Sequence, residues 1–210
     1  MNTYGKVLLL NGSPHKDGTT YKALNEIATT LDALGIEAEI IHVCGGEVSG
    51  CTACGACKKL GKCIKNDLVN EVAAKLDEAD GIILASPVYY ASPNGSFLSF
   101  LDRLFYSSSR TNKLMKVGAS VAVCRRGGAS ATFDVLNKYF TISGMPVVSS
   151  NYWNSVHGKS GDDAYSDLEG MQTMRSLARN MAYLIRAIKE AKESIPLPEK
   201  EEKIYTNYIR

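Results

Sequence analysis

Apolar residues in this chain fall into two alternating patterns: short unbroken runs, and longer stretches in which they return every three or four positions. The runs at 6–10, 37–43, 81–85, 117–123 and 146–149 predict strands, and the longer spacing predicts helices over 20–34, 69–78, 96–106 and 131–142. Gly35 supplies a stop for the first helix. A long last helix is expected over 162–193, where Leu168, Met171, Leu177, Met181, Leu184, Ile188 and Ala191 keep one face. Strands alternating with helices give a parallel sheet with right-handed crossovers. Because VLLL, GIILA and VGASVAV are apolar throughout, these strands read as buried on both faces. The expected fold class is α/β, a doubly wound five-stranded parallel sheet with helices on both faces, over residues 1–193. A cysteine-rich insertion at 44–66 follows the second strand, and 194–210 reads as a tail. In such a sheet the ligand sits beyond the carboxyl ends of the strands, which singles out the loops after the first, third and fourth.

The first of these lies in LLLNGSPHKDGTT, Leu8 to Thr20, which reads as strand, loop and helix start. The opening turn of a helix has unpaired N–H groups and a partial positive charge, and both suit a phosphate. Ser13, Thr19 and Thr20 can add hydroxyl donors, while Gly12 and Gly18 let the backbone come close. An ordinary capped turn has the same composition. Two nucleotide loops are excluded: for G-x-x-x-x-G-K-[ST] the glycines are one residue too far apart and Thr19 replaces the lysine, and G-x-G-x-x-G fails at Pro14. A phosphate monoester fits what remains.

After the third strand comes SPVYYASPNG, 86–95, stiffened by two prolines and bearing adjacent aromatics. After the fourth comes CRRGGAS, 124–130, whose paired glycines before a helix expose backbone N–H groups to carbonyl oxygens or an anion. Each loop alone reads equally as a turn. Together, a phosphate monoester site, a flat partner for aromatics and a glycine-rich donor loop describe FMN.

The insertion holds Cys51, Cys54, Cys57 and Cys63 in C-x2-C-x2-C-x5-C spacing, with Gly50, Gly55 and Gly61 for tight bends. Four thiolates in so short a run can wrap one [4Fe–4S] cube, and Lys58, Lys59, Lys62 and Lys65 would offset its negative charge. Two alternatives stay open. A zinc site would normally show two separated C-x2-C knuckles, and a loop without a cluster would leave the thiols reduced or paired. Cys44 and Cys124 read as small buried apolar residues.

At 210 residues, 45% apolar and 22% charged, the chain has core enough for one domain, and a net charge of +2 with scattered cations gives neither a nucleic-acid groove nor a membrane face. No apolar run reaches the roughly 20 residues that span a bilayer, and MNTYGKVLLLNG turns polar too early for a signal peptide, so the expectation is cytoplasmic. In a reducing compartment the six cysteines are expected as metal or redox ligands rather than disulfides.

NGSPHKDGTT (11–20), SPVYYASPNGSFLSFLDR (86–103), the Gly127-Gly128 loop and the compact cysteine run resemble one family: the NAD(P)H-dependent FMN reductases and iron–sulfur flavoproteins of flavodoxin-like fold. The likeness extends to about residue 192. It implies an FMN phosphate site at Ser13, His15, Gly18, Thr19 and Thr20, and a ring flanked by Pro87, Val88, Tyr89, Tyr90, Ser92 and Asn94. It also implies that Arg125, Arg126, Gly127 and Gly128 face the pyrimidine edge, and that Cys51, Cys54, Cys57 and Cys63 are the cluster ligands. Relatives often have lysine where Leu98 stands and arginine at His15.

The implied function is an FMN-dependent oxidoreductase. Electrons would pass from NAD(P)H, as cosubstrate, to a quinone-like, flavin or other small-molecule acceptor, the flavin itself carrying the chemistry. The rivals are an electron carrier fed by ferredoxin without nicotinamide, and a flavin-free phosphate-binding or phosphatase domain. The last lacks C-x5-R, since Ser130 and Cys63 stand six residues beyond Cys124 and Cys57. A homodimer or homotetramer is expected. His42 reads as structural, His157 as a surface residue or one reaching the flavin face, and Tyr152 and Trp153 as groups stacking on a nicotinamide or substrate or as a packing or subunit contact. Tyr205, Tyr208 and Ile209, beyond a solvated run at 199–203, are candidates for docking on a second subunit.

Overall fold

Side chains alternate across a strand, so a sheet covered on both faces needs apolar residues at odd and even positions alike. In β1 (Gly5–Asn11), Val7 and Leu9 face one core while Leu8 and Leu10 face the other. The computed structural model describes residues 3–109, 111–199, 201–202 and 204–206. In chain order α1 (Thr19–Ala33), β2 (Ile36–His42), α2 (Ala56–Leu60), α3 (Leu68–Glu78), β3 (Gly81–Tyr89), β4 (Ser92–Pro93) and α4 (Gly95–Ser107) follow. The chain then continues through β5 (Val117–Cys124), α5 (Ala129–Thr141), β6 (Ser155–His157), a 3-10 turn (Asp162–Ser166) and α6 (Leu168–Ser194).

The parallel strands run in the order β2-β1-β3-β5-β6, and β4 pairs antiparallel with the end of β3. Helices α1 and α6 pack on one face, where Leu24, Ile27, Leu31, Met174, Leu177 and Met181 are buried. Helices α3, α4 and α5 cover the other, with Val72, Leu76, Phe97, Leu104, Leu136 and Phe140. Two glycines set how closely helices approach. A Cβ on Gly12 would lie 2.3 Å from the Phe97 ring, and one on Gly118 2.4 Å from the Phe140 ring. Among the described residues no helix is long and apolar enough to cross a membrane.

The strand expected at 146–149 is corrected. That segment touches β5 through a single bridge, Val147 to Gly118, and the paired edge strand is β6, with Ser155 opposite Ala122. Between those pairings β5 advances from 118 to 122 while the edge chain advances from 147 to 155, so the surplus residues bulge outward. Tyr152 and Trp153 stand exposed on the bulge, ring centroids 5.2 Å apart. β6 carries one buried residue, Val156, between polar neighbours, which is why no apolar run marks it. The last helix is corrected too. It begins at Leu168, not 162, because Asp167 Oδ1 accepts the Gly170 N–H at 2.9 Å and caps it.

Candidate functional site

Register brings the expected loops together. Asn11 pairs with Ala85, and Pro87 with Val123, so 12–18, 86–94 and 125–128 leave the sheet at one rim. They are tied to one another. The Gly12 N–H donates to the Ala85 carbonyl at 2.8 Å, and Asn94 Nδ2 donates to the Gly12 carbonyl at 2.9 Å. A Cβ on Gly128 would lie 2.8 Å from Val88 Cγ1 and 2.9 Å from Ala91 Cα, so the third loop rests against the second. The segment after β6 closes over the first loop: Thr19 Oγ1 donates to the Ser160 carbonyl at 2.6 Å.

The first loop is held from within. Buried Asn11 accepts the Ser13 N–H on Oδ1 at 3.0 Å and donates from Nδ2 to the Lys16 carbonyl at 3.1 Å. Ser13 Oγ accepts the His15 N–H, and His42 Nε2 donates to the Ser13 carbonyl at 2.8 Å, so His42 is the structural residue it was read to be. Helix α1 starts at Gly18 and α5 at Gly128 without a side-chain cap or an acid in the first turn. By contrast α3, α4 and α6 are capped by Asp67, Asn94 and Asp167. Two positively polarised helix ends therefore open at the rim, where an anion or a ring carbonyl gains most.

Tyr90 (φ +52°) and Ala91 (φ +56°) form the two-residue turn between Tyr89 and its partner Ser92. Both central residues are left-handed, a conformation that costs an ordinary residue about 1–2 kcal/mol and that hairpins usually give to Asn-Gly. Strain of this kind gathers where a site dictates the backbone, and Tyr90 is wholly exposed at its tip. At the end of β6 the His157 N–H donates to Asp167 Oδ2 at 2.6 Å, and its Nδ1 lies 3.2 Å from the same oxygen. Burial by itself would raise the Asp167 carboxyl; the Gly170 and His157 donors overcome it and hold the group below the usual carboxylate range.

Of the expected phosphate residues, Ser13, Thr19 and Thr20 are buried, Gly18 is half-buried and His15 exposed. Along the expected ring, Pro87, Val88 and Ser92 are half-buried, Asn94 buried, and Tyr89 and Tyr90 exposed. Arg125, Arg126 and Gly127 are exposed, and Gly128 is half-buried. Two of these side chains already have employment as struts. Thr19 spends its hydroxyl hydrogen on Ser160, and Asn94 uses Nδ2 on Gly12 and Oδ1 on the Ser96 N–H.

In the insertion, Ala53, Gly55 and Gly61 at positive φ turn the chain around α2. Cys51, Cys54, Cys57 and Cys63 are free thiols lining one cavity, together with Ile64, Lys65, Arg103, Tyr106 and Ser107. Among the described residues two cations and no carboxylate line it, which suits an anionic, thiophilic group. Among the described residues no three His, Cys, Asp or Glu side chains converge closely enough to hold a single metal ion. Cys44 and Cys124 lie outside the cavity and are buried; burial pushes the Cys44 thiol up to about 12 and raises Cys124 as well, which disfavours the thiolate at both.

Arg103, which lines this cavity, and Asn70 and Asp67, which hold Cys63 and Arg103 from outside it, were not singled out from the sequence. Asn70 grips the Cys63 peptide, accepting its N–H on Oδ1 and donating from Nδ2 to its carbonyl, both at 3.0 Å. Arg103 is fully buried on α4, donates from Nη2 to Cys63 Sγ at 3.4 Å, and forks Asp67 at 2.7 and 2.8 Å. Arg103 falls on the buried stripe of its helix, three residues after Phe100, which is the one sequence signal that could have exposed it. Nothing in the sequence names Asp67 as its partner.

The family model for NADPH-dependent FMN reductase matches residues 5–160. An iron-sulfur flavoprotein of Methanocaldococcus jannaschii is 34% identical over 192 residues, which cover 88% of this chain and 100% of that one. RosB, solved with a bound 8-demethyl-8-formylriboflavin-5'-phosphate intermediate, shares the fold with a TM-score of 0.68 at 17% identity, over 98% of this chain and 94% of that one. A flavodoxin from the domain Archaea has a TM-score of 0.58 at 13% identity, over 86% and 98% respectively. Its sheet order, its rim and these likenesses agree: the chain belongs to the NADPH-dependent FMN reductase family, beside the iron–sulfur flavoproteins, and is a flavin oxidoreductase of flavodoxin-like fold.

Proposed function

We propose that the rim binds FMN, that NAD(P)H is the electron donor, and that the acceptor is a quinone-like, flavin or other small molecule, with a [4Fe–4S] cluster in the cysteine cavity. The observation that carries this reading is the set of three loops at one rim, the first hydrogen-bonded to the second and the third packed against the second, onto which two uncapped helix ends open. In this reading the α1 end, with the N–H groups of Gly18, Thr19 and Thr20 and the hydroxyls of Ser13 and Thr20, holds the phosphate. His15 lies at its exposed lip. Pro87, Val88, Tyr89, Tyr90 and Ser92 flank the ring, and Asn94 fixes the distance between that wall and the phosphate loop. Arg125 to Gly128 present N–H groups and charge to the pyrimidine edge, where electron density grows on reduction. Bound FMN supplies hydride acceptance and electron release; the chain supplies binding, orientation and electrostatics.

Cys51, Cys54, Cys57 and Cys63 are the ligands in this reading, and Lys65 and Arg103 offset the charge of the group they hold. A cluster there supplies one-electron transfer. A second reading, an electron carrier fed by ferredoxin, is favoured by the exposure of Cys51 and Cys54 beside the exposed Lys58, Lys59 and Lys62, a surface open to an acidic donor. Oxidation of NAD(P)H by FMN-loaded protein, measured against reduction by ferredoxin, separates the two. Turnover with nicotinamide supports the first; reduction by ferredoxin alone supports the second.

The proposal takes residues 1–193 as one FMN-binding unit, 44–66 as its insertion and 194–210 as a tail, in a cytoplasmic homodimer or homotetramer. Exposed aromatics, Tyr89 and Tyr90 at the rim and Tyr152 and Trp153 on the edge bulge, support association. Light scattering of the purified protein tests it, and a monomer at micromolar concentration contradicts it. Of the candidate docking residues in the tail, Tyr205 is exposed, and Tyr208 and Ile209 lie outside the described residues.

A further inference from the structure

We propose that Arg103 is a positioning residue that raises the one-electron potential of the cysteine cavity by holding a positive charge against Cys63 out of reach of water. This rests on the cluster reading above. Arginine is almost never fully buried unless paired, and an ion pair in a core is seldom better than an apolar side chain of the same volume. A buried guanidinium in contact with Cys63, lining the cavity of the four thiols, therefore calls for a reason beyond packing. Its donors are unevenly used. Nη1 and Nη2 fork Asp67, Nη1 also lies 3.3 Å from the Ser49 carbonyl, Nη2 donates to Cys63 Sγ, and Nε is buried without a partner among the described residues. Asn70 fixes the Cys63 peptide on both sides, which limits how far the sulfur can swing from the guanidinium.

Geometry fixes the sign of the effect. One electron from a low-potential donor adds one negative charge to a thiolate-ligated cluster, with no bond made or broken. A cation alongside favours that charge and raises the potential, whereas Asp67 opposes it. The two do not cancel. The Arg103 side chain is 1% exposed and touches the sulfur, while the Asp67 side chain is 43% exposed, so water screens the carboxylate and leaves the guanidinium in force.

The test is a potentiometric titration of the full chain, loaded with iron and sulfide under anaerobic conditions and reduced with dithionite, with the cluster followed by electron paramagnetic resonance. Arg103→Met is expected to shift the cluster midpoint to lower potential. Asp67→Asn, which keeps an acceptor for the Val69 N–H, is expected to shift it to higher potential. A merely structural role moves both variants alike, because either one loosens the same fork. Shifts in the same direction, no shift, or loss of the cluster from both variants overturns the inference. If Arg103→Met alone fails to fold or to hold iron, Asp67→Asn decides: a rise supports the inference, and a fall or no change overturns it. Wild-type protein that takes up no iron overturns the cluster reading itself, an outcome distinct from iron-loaded variants that fail to shift.

Discussion

Replacing Gly128 with alanine tests whether the third loop of the rim is seated on the second. Gly128 has φ +90°, so any side chain there pays the left-handed penalty of about 1–2 kcal/mol. The added Cβ would also lie 2.8 Å from Val88 Cγ1, 2.9 Å from Ala91 Cα and 3.2 Å from Ala91 Cβ. Val88 can shift, but Ala91 Cα is backbone in a strained turn and cannot move alone. Overpacking of this kind costs a further 1–3 kcal/mol, about 2–5 kcal/mol in total. Its neighbour is the control: a Cβ on Gly127 would meet nothing within 4 Å. Urea unfolding and FMN titration by fluorescence quenching should show Gly128→Ala destabilised and its FMN affinity lowered about tenfold or more, since 1.4 kcal/mol is one decade. Gly127→Ala should change little. Equal behaviour of the two variants refutes the seating of one loop on the other.

Asn94→Ala should cost about 2 kcal/mol of unfolding free energy, roughly half from the α4 cap and half from the strut to Gly12; Asn94→Asp keeps the cap and should lose only the second part. Asp67 and Asp167 are both held below the usual carboxylate range, so the stability they contribute is complete above the unfolded value near about 4 and is lost as pH falls through their lower folded values. Unfolding followed by circular dichroism should therefore show Asp167→Asn with a flatter dependence on pH than the wild type below about pH 4. Cys54→Ser should abolish brown colour and iron in anaerobically prepared protein while FMN stays bound; iron retained at the wild-type level sinks Cys54 as a ligand.

The buried strands were legible because a sheet covered on both faces leaves unbroken apolar runs, as Val7 to Leu10 and Gly81 to Ala85 do. The three loops were legible because the strand order of this fold brings their starts together, and glycines mark where backbone must come close. What failed shares a cause. β6 is an edge strand with one buried residue, and the apolar run at 146–149 imitates a strand that pairs through a single bridge. Strength of pairing there is set by tertiary contact, not by local pattern. The struts were hidden for a related reason. Thr19 and Asn94 carry residue types that suit a ligand, yet their partners are Ser160 and Gly12, far along the chain. Arg103 with Asp67, and Asn70 with the Cys63 peptide, are likewise pairings that only the folded chain creates.

A rim that cradles a flavin carrying one phosphate must tell FMN from riboflavin. Calorimetric titration of flavin-free protein with FMN and then with riboflavin measures this directly. About one FMN per chain should bind, with an affinity for riboflavin lower by about a hundredfold or more, because several hydrogen bonds to a charged group, each contributing about 1.5–3 kcal/mol, are lost with the phosphate. No binding of FMN, or equal affinity for the two flavins, contradicts it.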